Sequence, residues 1–184
     1  MNKMLLVVDP QVDFISGTLA VEKAEEKMLE LARYVRQKDG DYRLKVVTMD
    51  WHPYGHCSFQ DNGGQWPRHC VQNTAGAAIF GPLFEALFQT SGKVVCLYKG
   101  DKEELEEYSI FKNESSAQQL NRLIQDFDIE KIEICGIAGD ICVLNTLHDG
   151  VEKYGTEMFK VLVGFCPSLD GGVAISQAAC HCSK

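Results

Sequence analysis

The stretch KIEICGIAGDICVLNT, residues 131–146, contains the parts of one supersecondary unit. Its first half, KIEICGIA, has the composition of a buried strand and stops at a turn of small residues. A helix is predicted directly after the turn, with Cys142 at the junction. A strand that leads into a helix is the unit from which α/β sheets are built. From the spacing alone, Cys142 is either a nucleophile or a thiol packed in the core.

Four other apolar runs have the same character. They are continuous and rich in valine, isoleucine and leucine, as is typical of strands covered on both faces. Together with the opening stretch they are MLLVVD (4–9), LKVVTMD (44–50), KVVCLYK (93–99), KIEICGIA (131–138) and FKVLVGFC (159–166).

Segments with helical periodicity lie between these runs. Residues 24–38 and 115–127 each place apolar side chains on one stripe, and residues 171–182 predict a weaker last helix. Ser116 and Gln119 form a capping-box pattern at the start of the second helix. The two stripes are Met28, Leu31, Ala32 and Val35, and Leu120, Leu123, Ile124 and Phe127.

The alternation of strands and helices predicts right-handed crossovers and an α/β fold. We expect a doubly wound three-layer α/β/α sandwich with a mostly parallel sheet of five to six strands, formed by a single domain over residues 1–184. Because the chain ends soon after the fifth run, a sixth strand is expected to be brief or absent.

Composition excludes several classes of partner. The net charge is −8 and no lysine or arginine cluster is present, which argues against nucleic acid and anionic membranes. The N-terminal apolar run of five residues is too short for a signal peptide or a membrane span. The eight cysteines form no CxxC pair, which favours reduced thiols in a cytoplasmic protein.

Polar residues follow the predicted strands. Asp9, Asp50 and Lys99 end three of the runs, and Cys142 follows a fourth. The carboxyl ends of parallel strands share one rim, where ligands bind in such folds. A helix N-terminus and Lys99 would stabilise the Cys142 thiolate, and Asp9 suits a general base. Backbone N–H groups of residues 138–142 would form an oxyanion hole. The alternative, a small buried hydrophobe, stays open here.

The irregular segment 51–80 is longer than a connector needs, so we expect binding chemistry there. Asp50 and His52 lie two residues apart at a strand end, and His56 and His69 follow. A carboxylate with two or three imidazoles suits zinc, iron or manganese. His148 and His181 have no such neighbours and are expected to be structural.

Five motifs, taken in order, carry a family resemblance. They are VVDPQVDF (7–14), TMDWHPYGHCSF (48–59), WPRHCVQNTAGA (66–77), YKG (98–100) followed by EYSIF (107–111), and GIAGDICVLNT (136–146). Their combination resembles the isochorismatase-like cysteine hydrolases and, within that superfamily, the nicotinamidases. The resemblance implies a parallel six-stranded sheet flanked by helices. It also implies hydrolysis of nicotinamide to nicotinate and ammonia, a step of NAD salvage.

Carried over by position, the resemblance implies a catalytic triad. Asp9 would be the base, Lys99 its electrostatic partner and Cys142 the nucleophile that forms a thioester. The bond between Ile137 and Ala138 matches a cis peptide of the family. The Ala138 N–H, with that of Cys142, would then form the oxyanion hole.

The resemblance also implies one divalent metal ion per chain and an aromatic substrate site. Zinc is the first expectation, with iron or manganese as alternatives, and pyrazinamide is a plausible second substrate. The complete DWHPxxH element favours a nicotinamidase over isochorismatase proper, which lacks the metal cluster. The metal ligands would be Asp50, His52 and His69, with His56 as a fourth ligand or a neighbour that supports one, and Phe14 and Trp66 would sandwich the substrate ring.

Two alternative functions and two structural questions stay open. The chain could hydrolyse another small amide, or be a catalytically silent metal-binding relative. The acidic segment KGDKEELEEYSIF (99–111) is expected to be a solvated face rather than part of the pocket rim. The sequence is compatible with a homo-oligomer but does not specify one.

Overall fold

The structure is a computed structural model that describes residues 1–182. In this part of the chain, one sheet contains five strands, all parallel, so the prediction of an α/β sandwich with a parallel sheet is confirmed. The strands are β1 (Lys3–Val8), β2 (Leu44–Asp50), β3 (Lys93–Lys99), β4 (Lys131–Gly136) and β5 (Phe159–Val161). Their order across the sheet is β3-β2-β1-β4-β5.

The predicted strands match the observed ones closely except at the fifth run. Both faces of β1 and β2 are buried, which explains their unbroken apolar sequences. The prediction of a strand over residues 159–166 is wrong beyond Val161. β5 is an edge strand paired only with β4, and pairing ends where residues 163–165 coil into a 3₁₀ turn.

Six α-helices connect or follow the strands. The predicted apolar stripes face the core, although Phe127 is only half-buried. Residues 81–89 form a helix that periodicity did not indicate. The helices are α1 (Val12–Ile15), α2 (Ala24–Gln37), α3 (Gly81–Gln89), α4 (Glu114–Asp126), α5 (Leu144–Tyr154) and α6 (Val173–His181).

The predicted capping box at Ser116 and Gln119 is wrong. Helix α4 is capped by Asn113, whose side-chain oxygen accepts the Ser116 N–H at 3.0 Å. Ser116 therefore lies inside the first turn, where its hydroxyl donates to the Tyr98 carbonyl at 2.6 Å. Asn113 caps the helix instead of Ser116 because its side chain is also held by the preceding loop, where its amide donates to Asp101 and Glu107.

The order in which the chain visits the strands determines where a crevice forms at the edge of the sheet. From β1 the chain moves outward through β2 to β3, then returns across the sheet to β4 on the other side of β1. Helices α2 and α3 pack against each other. The right-handed rule for parallel crossovers assigns them to one face of the sheet and α4 and α5 to the other, where the Tyr154 hydroxyl of α5 donates to Asn121 of α4 at 3.0 Å. The switch in direction lies between β1 and β4, where a crevice opens at the strand ends. None of the helices within residues 1–182 is long and apolar enough to span a bilayer.

Candidate active site

Lys99 is the centre of a buried charge cluster at this crevice. Its neighbour across the β2–β3 ladder is Asp50, because the two residues are in register. The ammonium nitrogen lies 2.5 Å from Asp50 Oδ1, 2.9 Å from Asp9 Oδ2 and 3.6 Å from Cys142 Sγ. All four residues are buried, so two carboxylates and a thiol surround one desolvated lysine.

Asp9 reaches this cluster because the chain turns sharply as β1 ends. Its φ of 47° is a left-handed conformation, which aspartate tolerates better than most residues. The Asp9 N–H donates to the Thr48 carbonyl at 3.0 Å, and the Thr48 hydroxyl donates to Asp9 Oδ1 at 2.6 Å. One carboxylate oxygen is thus fixed by Thr48, and the other faces Lys99.

Cys142 lies on a wide turn between β4 and α5. The Ile137–Ala138 peptide is cis, as the resemblance implies, and residues 139–143 form one turn of π-helix. The Val143 N–H donates to the Ala138 carbonyl at 3.1 Å, and the Gly139 N–H donates to the Pro167 carbonyl at 2.9 Å. These bonds hold the turn from both sides and place Sγ against Lys99 and Asp9.

Burial governs the protonation of the thiol and its neighbouring carboxylate. It raises the pKa of the Cys142 thiol well above the usual value; Lys99 opposes this effect, whereas Asp9 and Asp50 add to it. Burial also raises the pKa of Asp9, against the lowering effect of Lys99. The sequence-based expectation that Lys99 favours the thiolate is correct in sign, but burial outweighs it. The thiol therefore needs a base. Because its pKa is raised, the Asp9 carboxylate is a stronger base than an ordinary aspartate.

A second cluster joins Asp50 to two imidazoles. The ligand atoms of Asp50, His52 and His69 all lie within 4.8 Å of one another. The His52 Nδ1–H donates to the Gly100 carbonyl at 2.9 Å and the His69 Nδ1–H to the Pro67 carbonyl at 2.8 Å. Each ring therefore keeps its Nε2 lone pair for another partner. Backbone carbonyls orient metal-binding histidines in the same way.

The atoms of this cluster fit a divalent metal ion. His52 Nε2 is buried, lies 3.6 Å from Asp50 Oδ2 and has no hydrogen-bond partner within residues 1–182. A buried nitrogen without a partner is costly unless something binds it. One carboxylate oxygen and two imidazole nitrogens form a donor set suited to zinc, iron or manganese.

His56 lies beside this cluster rather than in it. Its ring is stacked on His52 with a centroid separation of 4.0 Å. The Ser58 N–H donates to His56 Nδ1 at 3.3 Å, so Nε2 carries the proton and donates to the Leu105 carbonyl at 3.1 Å. With both nitrogens bound to protein, this arrangement favours the supporting role over the fourth-ligand role expected for His56.

A cleft that is partly open to solvent lies over both clusters. Phe14 and Trp66, the two predicted substrate contacts, both line it, as do Ala138 and Cys142 from the turn between β4 and α5. The remaining lining residues are Leu19, Val21, Asp50, His69, Glu106, Tyr108, Ile141 and Leu169.

Sequence reasoning missed Gln11, which clamps the backbone of Asp50. Its Nε2 donates to the Asp50 carbonyl at 2.7 Å, and its Oε1 accepts the Asp50 N–H at 2.8 Å. The residue lies inside the VVDPQVDF motif, between Asp9 and Phe14, and that position is the signal that could have identified it.

The expectation of a solvated acidic segment is wrong for its second half. Glu106 and Tyr108 line the cleft, and the Tyr108 hydroxyl accepts the Trp66 Nε1–H at 3.1 Å. Glu107 is buried, whereas Glu103 and Glu104 are exposed as expected. The acidic run has no alternation of polar and apolar residues, so the sequence does not indicate which of its side chains point inward.

Sequence comparison agrees with this geometry. Residues 3–159 match the isochorismatase domain family. The nicotinamidase/pyrazinamidase of Mycobacterium tuberculosis is 34% identical over 157 residues, covering 82% of this chain and 80% of that protein.

Two solved structures share the fold over nearly the whole chain. The pyrazinamidase of Pyrococcus horikoshii in complex with zinc is 28% identical, with a TM-score of 0.80, over 99% of this chain and 96% of that one. The yeast nicotinamidase bound to the inhibitor nicotinaldehyde is 26% identical, with a TM-score of 0.82, over 97% and 96%. Because the family model matches residues 3–159 and a relative is 34% identical over most of the chain, this chain belongs to the isochorismatase domain family.

Proposed function

We propose that this chain is a metal-dependent cysteine amidohydrolase that converts nicotinamide into nicotinate and ammonia. The observation that carries the proposal is the position of Cys142 Sγ, 3.6 Å from Lys99 Nζ. The sulfur lies on the wall of a cleft lined by three aromatic side chains and by two members of the candidate metal cluster. Relatives named as nicotinamidases and pyrazinamidases support the choice of amide.

Each residue of the triad has a definite task in this mechanism. Asp9 removes the proton from Cys142, and the thiolate adds to the carboxamide carbon. The electron pair of the C=O bond moves to oxygen, which the N–H groups of Ala138 and Cys142 stabilise. When the C–N bond breaks, Asp9 returns its proton to the nitrogen, and ammonia leaves a thioester on Cys142.

The second half of the reaction repeats these roles with water. Asp9 removes a proton from the water molecule, whose oxygen adds to the thioester carbon. The C–S bond then breaks, and the Cys142 thiol is restored by the proton held on Asp9. Nicotinic acid leaves and loses its carboxyl proton to solvent, which gives nicotinate. Throughout, the Lys99 ammonium offsets the negative charge that moves between Asp9 and Cys142.

The cluster of Asp50, His52 and His69 would hold one divalent ion per chain. When bound, this ion supplies a Lewis-acid contact for the pyridine nitrogen of the substrate. Zinc is the first candidate because the related pyrazinamidase structure contains it, with iron or manganese as alternatives. Phe14 and Trp66 would hold the ring from its two faces, which positions the carboxamide near Sγ. Pyrazinamide, a ring of the same size with the same amide, is a second expected substrate.

Metal removal tests the proposal together with its alternatives. Purified protein is expected to release ammonia from nicotinamide and to contain about one divalent ion per chain. Chelation should lower turnover strongly, because the ion would help to hold the substrate ring, and added zinc should restore it. Turnover that chelation does not change would indicate a metal-free amidase of the same family. Bound metal without ammonia release from any small amide would indicate a silent relative.

The pH profile tests the role of Asp9. Because burial raises the pKa of this carboxyl, the acidic limb of kcat/KM is expected above the ordinary aspartate value of about 4. Activity should be lost as pH falls through that limb, since protonated Asp9 cannot accept the thiol proton. Asp9→Asn should remove the activity, and an Asp9→Asn variant with an unchanged profile would contradict the assignment.

We also propose a single domain over residues 1–184 and a cytoplasmic location. One continuous hydrophobic core among the described residues supports the first. All eight cysteines are free, which supports a reducing compartment.

A further inference from the structure

Glu107 is the one glutamate of the acidic segment 99–111 that is almost fully buried, with 1% of its surface exposed. One carboxylate oxygen, Oε2, accepts the Gly100 N–H at 2.8 Å and the Asn113 Nδ2–H at 2.9 Å. The other, Oε1, has no hydrogen-bond partner within residues 1–182. Burying a carboxylate costs free energy, so a role beyond solubility is indicated.

Gly100 links this carboxylate to the candidate metal cluster. Its N–H is held by Glu107, and its carbonyl accepts the His52 Nδ1–H at 2.9 Å. Gly100 has a φ of +62°, and a Cβ at this position would collide with the His52 ring. The backbone at Gly100 therefore lies against the imidazole, and its orientation determines where His52 Nε2 points.

The same segment holds the other side of the histidine loop. The Glu103 carbonyl accepts the Cys57 N–H at 2.8 Å, and the Leu105 carbonyl accepts the His56 Nε2–H at 3.1 Å. Asn113, which caps α4, also donates to Asp101 at 2.8 Å. Segment 99–111 is thereby fixed at several points, with Glu107 as its buried anchor.

We infer that Glu107 is a positioning residue that holds the Gly100 backbone so that His52 presents Nε2 to a divalent cation. This inference rests on the metal site of the proposed function. Partners of metal-bound histidines typically change metal affinity by about 10- to 100-fold when they are removed. A residue that only fastened the loop to α4 would affect stability without changing metal affinity.

Three substitutions at Glu107 separate these roles. Glu107→Met keeps the volume but removes the acceptor, Glu107→Asp withdraws the acceptor by one methylene, and Glu107→Gln keeps one oxygen. Calorimetric titration of the metal-free protein with Zn²⁺ is expected to show an affinity about 10- to 100-fold weaker for the methionine variant. The aspartate variant should lie between it and the wild type, and glutamine should restore most of the affinity. Glu104→Gln, an exposed neighbour, is the matched control and should bind as the wild type does.

The protonation of the His52 ring in the metal-free protein provides a second test. Nitrogen-15 spectra of the metal-free wild type, recorded at alkaline pH where the ring is neutral, should show His52 as the Nδ1–H tautomer. Glu107→Asp should show a mixture of tautomers under the same conditions. Affinities within twofold of the wild type for every Glu107 variant, with His52 unchanged, would overturn the inference. A wild type that hydrolyses nicotinamide and binds no divalent ion would also overturn it; the cysteine amidase chemistry would then stand without the metal. Zinc binding that weakens as expected, in a protein that releases no ammonia, would support it and contradict the amidase proposal.

Discussion

Replacing Cys142 with alanine is expected to abolish ammonia release from nicotinamide. In this mechanism Sγ forms the bond to the carboxamide carbon, so neither the tetrahedral intermediate nor the thioester can form without it. Loss of the nucleophile from an enzyme of this kind lowers kcat by about four orders of magnitude or more. The measurement is an ammonia assay on the variant, with zinc content and thermal unfolding followed in parallel.

Cys135 provides a matched control for this substitution. It is a buried thiol on β4, seven residues before Cys142, and it does not line the cleft. Cys135→Ala should lose some stability through the small void it creates but retain its turnover. Normal ammonia release by Cys142→Ala would rule out the thioester route. If both variants fold but neither releases ammonia, the loss in Cys142→Ala could not be assigned to a missing nucleophile.

Replacing Lys99 with methionine is expected to destabilise the fold as well as inactivate the site. The ammonium is fully buried between Asp9 and Asp50, so its loss leaves two carboxylates without their cation. Removing one partner of a buried ion pair typically costs about 3–5 kcal/mol. Denaturant unfolding at neutral pH should show a loss of this size.

The loss caused by Lys99→Met should depend on pH with a definite sign. In the wild type, burial raises the pKa of Asp50, but Lys99 and then His52 outweigh burial and hold that pKa well below its usual range. The stabilisation from the ionised Asp50 carboxyl is therefore present above the unfolded pKa and lost at lower pH. The difference between variant and wild type should shrink as pH falls below about 4, because the unfolded chain then takes up a proton that Asp50 of the folded wild type does not.

The other end of β3 offers the control. Lys93 begins the strand that Lys99 ends, and it is exposed. Lys93→Met should change the free energy of unfolding by no more than about 0.5 kcal/mol. Equal losses from the two substitutions would contradict the view that Lys99 is special because it is buried with two carboxylates.

The sequence predicted the strand ends well because a buried parallel strand needs a long apolar run. Asp9, Asp50 and Lys99 could be placed on one rim since each interrupts such a run at the same end. The turn that carries Cys142 was recognisable as a break between strand and helix. The catalytic role expected for Cys142 was inferred from the order of the motifs and not from the turn itself. Burial of Cys142 and the charges around it depend on residues distant in the chain, which the local sequence does not reveal.

Features that depend on tertiary contacts were missed. The strand at residues 159–166 stops early because an edge strand has only one neighbour to pair with. The cap of α4 is Asn113 rather than Ser116 because the asparagine also holds Asp101 and Glu107. The inward turn of residues 106–108 is set by contacts with Gly100 and Trp66, which a list of acidic residues does not reveal.

The most direct test of the central claim is to identify the acylated residue during turnover. Wild-type protein mixed with nicotinamide and quenched in acid within milliseconds would be digested and examined by mass spectrometry. We predict a nicotinoyl group on the peptide containing Cys142, absent when Cys142 is alanine, with the other seven cysteines unmodified. Turnover without any acylated peptide, or an acyl group on another cysteine, would contradict nucleophilic catalysis by Cys142.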